Sequence, residues 1–102
     1  MKVVTISGSM RYAKQMRQIA RDLETGLGYC VLQPVYNDKK TKESIEDIER
    51  SYACHMKKVE LSDAIYVVNI DGYIGEFTKN EIKFAKKLKK EIIYHEPIKK
   101  EK

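Results

Sequence analysis

Residues 63–85, DAIYVVNIDGYIGEFTKNEIKFA, decide the fold of this chain. Residues 64–70 are a short apolar, β-branched run without a charge, which is how a strand covered on both faces of a parallel sheet reads. The run empties into Asp71, Gly72, Tyr73, Ile74, Gly75 and Glu76, a turn with two glycines and two carboxylates, and then into a helix expected to start near Thr78. In open α/β sheets ligands bind in the crevice outside the carboxyl ends of the strands, so this turn lies where a site is expected.

The helix after the turn carries the most informative residue. At about 100° per residue, Ile82, Phe84, Ala85 and Leu88 share one arc, while Lys79, Lys83, Lys86, Lys87 and Lys90 fall on the other side. Glu81 falls inside the apolar arc. A carboxylate there has to be paired, neutralised or pointed into a cleft, because burying a bare charge is too costly. The same residues admit a second reading. Thr78-Lys79-Asn80-Glu81 has the T-x-x-E form of a capping box, in which Glu81 folds back onto the amide of Thr78 and only starts the helix.

Outward from this stretch, 102 residues give room for one domain and one small core, read as residues 1–96 followed by a basic tail over 97–102. With 42% hydrophobic and 34% charged residues the composition is that of an ordinary soluble protein, and no apolar run approaches the roughly 20 residues of a membrane span. The amino terminus enters a strand without a basic region and long apolar core, so a cytoplasmic protein is expected. Cys30 and Cys54 are far apart and lack the neighbouring histidines of a zinc site, so reduced buried thiols are expected. Much of the net charge of +5 comes from Lys86 to Lys90 and from the tail, and lysines on the outer face and last turn of a helix are ordinary solvated charges. No arginine-rich or aromatic-interleaved stripe supports nucleic-acid binding.

In chain order, residues 2–7, KVVTIS, form a first strand, and Gly8-Ser9-Met10-Arg11 makes a strand-turn-helix junction. Such a junction can hold phosphate: the first amides of a helix are unpaired, glycine admits close approach, and Ser9 and Arg11 add a hydroxyl and a fork of donors. A glycine turn with Ser9 as helix N-cap explains the same residues. Helix one is expected over residues 11–24, with Ala13, Met16, Ala20 and Leu23 inward and Gly26 and Gly28 ending it. Residues 29–35 read as a second, outermost strand, with Pro34 marking either an edge or the strand's last residue. Residues 36–42 are polar and turn-prone and overhang the crevice. Helix two, residues 43–61, puts Ile45, Ile48, Tyr52, Met56 and Val59 on one face, with His55 on its border as a packing residue. Residues 91–95 form a short fourth strand.

Alternating strands and helices with right-handed crossovers give a three-layer, flavodoxin- or Rossmann-like α/β fold, with a four-stranded parallel sheet in the order 2-1-3-4. Strands one and three then meet at the switch point, which brings Gly8 to Arg11 opposite Asp71 to Glu81.

Three patterns in this chain resemble the nucleoside 2-deoxyribosyltransferase-like superfamily, which includes 2'-deoxynucleoside 5'-phosphate N-hydrolases: KVVTISGSMR, H-x-x-K-x-x-x-S-D-A-I-Y-V-V-N from His55, and G-Y-I-G-E-x-T-x-x-E-I-x-x-A from Gly72. The resemblance covers nearly the whole chain. It implies that Glu81 is a nucleophile, that Ser9 and Arg11 hold a 5'-phosphate, and that Gly8, Met10, His55, Asp71, Gly72, Tyr73, Gly75, Glu76 and Thr78 complete the substrate side. It further implies N-glycosidic cleavage or transfer on nucleosides or their 5'-monophosphates, without a metal or redox cofactor, in a homodimer or larger oligomer. Two departures stand out: Lys83 replaces the glycine usual in the E-I-G-x-A motif, and His55 stands where related hydrolases carry an aspartate. A nucleotide-binding protein that kept the crevice without turnover is the alternative.

Overall fold

The computed structural model describes residues 1–37 and 41–98. The middle of the loop expected over 36–42 and the basic residues 99–102 lie outside the described residues. The elements are β1 (Val3–Gly8), α1 (Ala13–Leu27), β2 (Cys30–Leu32), α2 (Ile45–Leu61), β3 (Ala64–Val68), α3 (Glu76–Lys87) and β4 (Glu91–Tyr94), with 3₁₀ turns at Met10–Tyr12 and Ile70–Gly72. All pairings are parallel and the strand order is β2-β1-β3-β4, as the alternation of elements requires.

Four of the boundary differences from the sequence reading have a clear local cause. α1 runs straight through Gly26 and stops at Gly28, whose φ of 71° takes the chain left-handed. The amides of Gly28 and Tyr29 then bond back to the carbonyls of Glu24 and Leu23. β2 ends at Leu32, two residues before Pro34, which has no amide to offer a ladder. β3 ends at Val68 because the side chain of Asn69 takes over the pairing described below. α3 begins at Glu76 with Gly75 as its N-cap, so Thr78 lies inside the helix and is buried.

The sheet has two covered faces. Val4, Ile6, Ala64 and Val68 meet Met16, Ala20 and Leu23 of α1 on one face. Ile65 and Val67 meet Val59 of α2 and Ile82 and Ala85 of α3 on the other. Each fully buried aliphatic side chain contributes on the order of 1.5–3 kcal/mol. β1 alternates in polarity between these faces, because Thr5 and Ser7, both wholly buried, point towards α2 and α3. Thr5 Oγ1 lies 2.6 Å from Ser62 Oγ, and Ser62 donates its own proton to the carbonyl of Lys58 at 2.7 Å, so Thr5 is the donor to Ser62.

Two further details fix the carboxyl edge of the sheet. Gly8 ends β1 where a Cβ would sit 3.1 Å from Val68 Cβ and 3.2 Å from Met16 Sδ, so the glycine lets β1, β3 and α1 close together. Beyond β4, Asn69 grips Glu96 at two points, with Nδ2 donating to the Glu96 carbonyl at 2.8 Å and Oδ1 accepting its amide at 2.7 Å. No helix among the described residues is long and apolar enough to cross a membrane.

Candidate active site

Glu81 sits in the second turn of α3 and is 6% exposed. Ser7 Oγ of β1 donates to its Oε1, and Nε2 of His55 from α2 lies 2.6 Å from the same oxygen. Three elements thus converge on one carboxylate oxygen, which settles the two readings of this residue. Gly75, and not Thr78, caps the helix, and Glu81 is bonded to a strand and a neighbouring helix and not to the amide of Thr78. Among the described residues no group donates to Oε2. One oxygen is held, and the other is left for whatever enters the site.

His55 is 7% exposed and is the partner of a carboxylate, where its place on the helix had marked it as a packing residue. Facing an ionised carboxylate, which only accepts, Nε2 is the donor of this bond. Nδ1 is buried without a hydrogen-bond partner among the described residues.

Glu81 and His55 form the floor of a cavity of about 470 Å³ at the carboxyl edge of the sheet. Of the residues expected from sequence, Gly8, Ser9, Met10, His55, Tyr73, Gly75, Glu76, Thr78 and Glu81 line it. Arg11, Asp71 and Gly72 do not. The Arg11 guanidinium lies over the Tyr73 ring at 4.3 Å from its centroid, so it backs a wall of the cavity and does not face into it. The Arg11 amide bonds to Ser9 Oγ at 3.3 Å, which is the N-cap use of that serine. Asp71 and Gly72 take positive φ, 56° and 77°, and shape the turn after β3, where the Asp71 amide is held by the Glu96 carboxylate at 3.2 Å. Glu76 lies on the rim with its carboxylate 3.3 Å from Lys79.

The remaining walls are residues that the sequence reading did not assign to the site. Val35 and Ile48 are apolar walls, and the rings of Tyr52 and Phe77 meet at 5.5 Å across α2 and α3. Burial, and then the charge of Glu81, push the Tyr52 phenol above its ordinary 10.0. Ser7 was also unassigned. Its signal is the placement of Thr5 and Ser7 at alternate positions of an otherwise aliphatic strand, which puts two hydroxyls on one face.

Comparison with solved structures finds the fold in a 2-desoxiribosyltransferase from Leishmania mexicana, at a TM-score of 0.67 and 17% sequence identity over 92% of this chain. The chain spans 63% of the length of that protein. The likeness bears out a nucleoside deoxyribosyltransferase-like fold. No family model and no curated protein matches the sequence.

Proposed function

We propose that the protein cleaves or transfers the N-glycosidic bond of nucleosides or their 5'-monophosphates, with Glu81 as nucleophile. The observation that carries this reading is the buried carboxylate in the cavity lining with one oxygen held by Ser7 and His55 and no donor on the other among the described residues. A cavity of about 470 Å³ falls in the size range of small-molecule sites, and its apolar and aromatic walls suit a flat base. The fold, shared with the Leishmania mexicana 2-desoxiribosyltransferase, supports the same chemistry.

In the first step Oε2 of Glu81 attacks the anomeric carbon, the C–N bond breaks, and its electron pair leaves with the base, which takes a proton from solvent. The product is a glycosyl ester on Glu81. In the second step water attacks the same carbon, gives its proton to solvent, and frees the sugar and the carboxylate; if a second base attacks instead, it loses its ring proton and a new nucleoside forms. Ser9 and Met10 flank the sugar side of the cavity, and a 5'-phosphate engages Arg11 once the guanidinium turns from Tyr73.

The reading is tested by incubating the protein with a panel of nucleosides and 5'-monophosphates and following free base by chromatography. Base is expected from at least one member, with release slowed at least about 10³-fold in Glu81→Gln. Weaker binding of monophosphates than of nucleosides by Arg11→Ala assigns the phosphate contact to Arg11. A nucleotide that binds and is never cleaved would replace this reading with that of a binding protein. The site is further proposed to work in a homodimer, since Val35, Ile48 and Phe77 are 65%, 48% and 66% exposed beside the cavity. A single-chain mass by light scattering at micromolar concentration sinks that part.

A further inference from the structure

We propose that Ser7 and His55 are positioning residues that set the balance between the two half-reactions, speeding the breakdown of the glycosyl ester relative to its formation. This rests on Glu81 as the nucleophile. Both donors fall on the same oxygen, Oε1, although a carboxylate offers two. That arrangement fixes the plane of the group and reserves Oε2 for the sugar.

The same two bonds change strength during the reaction. Before attack, Oε1 belongs to an anion, and hydrogen bonds to an ionised acceptor are about twice as strong as neutral ones. After attack, Oε1 is the carbonyl oxygen of a neutral ester and accepts more weakly. Ser7 and His55 therefore stabilise the free carboxylate more than the ester. They slow the first step somewhat, and they improve the carboxylate as a leaving group in the second. Without them, a carboxylate buried in a largely apolar cavity is better off esterified, and the ester persists.

The surroundings of the two donors show that they are placed for Glu81. Ser7 lies on the central strand β1 with no exposed surface, in register with Val67 of β3. The sole hydrogen bond of the His55 ring among the described residues is the one to Glu81, since Nδ1 has no partner. A histidine kept only for packing would gain by satisfying both nitrogens, whereas this ring is oriented by the carboxylate alone. With the two donors on different elements, β1 and α2, Oε1 is fixed from two sides.

The experiment uses the four common 2'-deoxynucleosides and their 5'-monophosphates, followed by rapid quench and intact-mass measurement of the protein. With whichever compound the parent cleaves, Ser7→Ala and His55→Leu are expected to release the first equivalent of base at least as fast as the parent. Steady-state turnover then falls about tenfold in each, the difference between a charged and a neutral acceptor for one bond, and a deoxyribosyl adduct on Glu81 builds up. His55→Gln, which keeps an N–H donor, is expected to recover part of the turnover. Slowing of the first equivalent and of turnover together, with no adduct, would overturn the inference while leaving Glu81 as nucleophile. Turnover equal to the parent in both variants overturns it as well. A parent that releases no base from any of these compounds overturns the proposed function, and this inference falls with it.

Discussion

The two faces of the sheet are made by the same strands and are both buried, yet only one carries paired polar side chains from β1. Towards α1, β1 presents Val4 and Ile6; towards α2 and α3 it presents Thr5 and Ser7, and all four have no exposed surface. Burial alone therefore does not separate the two sides. What separates them is that each hydroxyl on the second face has a partner from a helix layer, Ser62 for Thr5 and Glu81 for Ser7. The α1 face holds the fold by aliphatic packing, and the opposite face spends part of its interior on hydrogen bonds that fix a carboxylate. Within a strand buried on both sides, alternation of polarity marks the face that holds the carboxylate where alternation of exposure cannot.

The contrast is open to direct attack by equilibrium unfolding in denaturant. Ile6→Ala on the α1 face is expected to cost about 2–5 kcal/mol, the range for deleting a packed aliphatic side chain and leaving a cavity. Glu81→Gln on the other face keeps an oxygen that accepts from Ser7 and His55, and is expected to change stability by about 1 kcal/mol or less while removing turnover. A loss as large as that of Ile6→Ala would make the polar face structural and erase the distinction. Thr5→Val removes the bond to Ser62 but leaves Ser62 donating to Lys58, so an effect of about 0.5 kcal/mol is expected. The smallest expected change is spectroscopic. Tyr52 ionises above its ordinary 10.0 because of burial first and the Glu81 charge second, so Glu81→Gln should bring its ultraviolet titration part of the way back down. The raised value favours the folded state below pH 10, and that contribution is lost as pH climbs through the folded value. A Tyr52 titration identical in the two proteins would mean that Glu81 bears no charge beside it.

Much of this was legible in the sequence because the signals were periodic. The strand order and the meeting of Gly8 to Met10 with Gly75 to Glu81 follow from alternating strands and helices and the handedness of their crossovers. Glu81 was visible as a charge in an apolar arc, and its competing T-x-x-E reading failed because Gly75 starts the helix earlier than Thr78. Arg11 stands outside the cavity lining for a different reason. Its side chain is turned by the Tyr73 ring, a contact between residues remote in sequence that no local pattern encodes. His55 belongs with it, since a border position on a helix says nothing of the carboxylate that a different helix brings to it.

The grip of Asn69 on Glu96 has a consequence for the exchange of backbone protons with solvent. A side-chain amide carries the same donor and acceptor as a peptide group, so Asn69 supplies a substitute rung to the β3–β4 ladder after its own backbone has turned into the 3₁₀ turn. The His95 amide is already bonded to the Val67 carbonyl at 2.8 Å, and the Glu96 amide is the next in line. Glu96 lies outside any strand, yet its proton is locked as a strand proton is, and it opens only when the edge of the sheet opens. In deuterated water the Glu96 amide is expected to keep pace with β4, and Asn69→Ala is expected to release it to exchange at the rate of a loop.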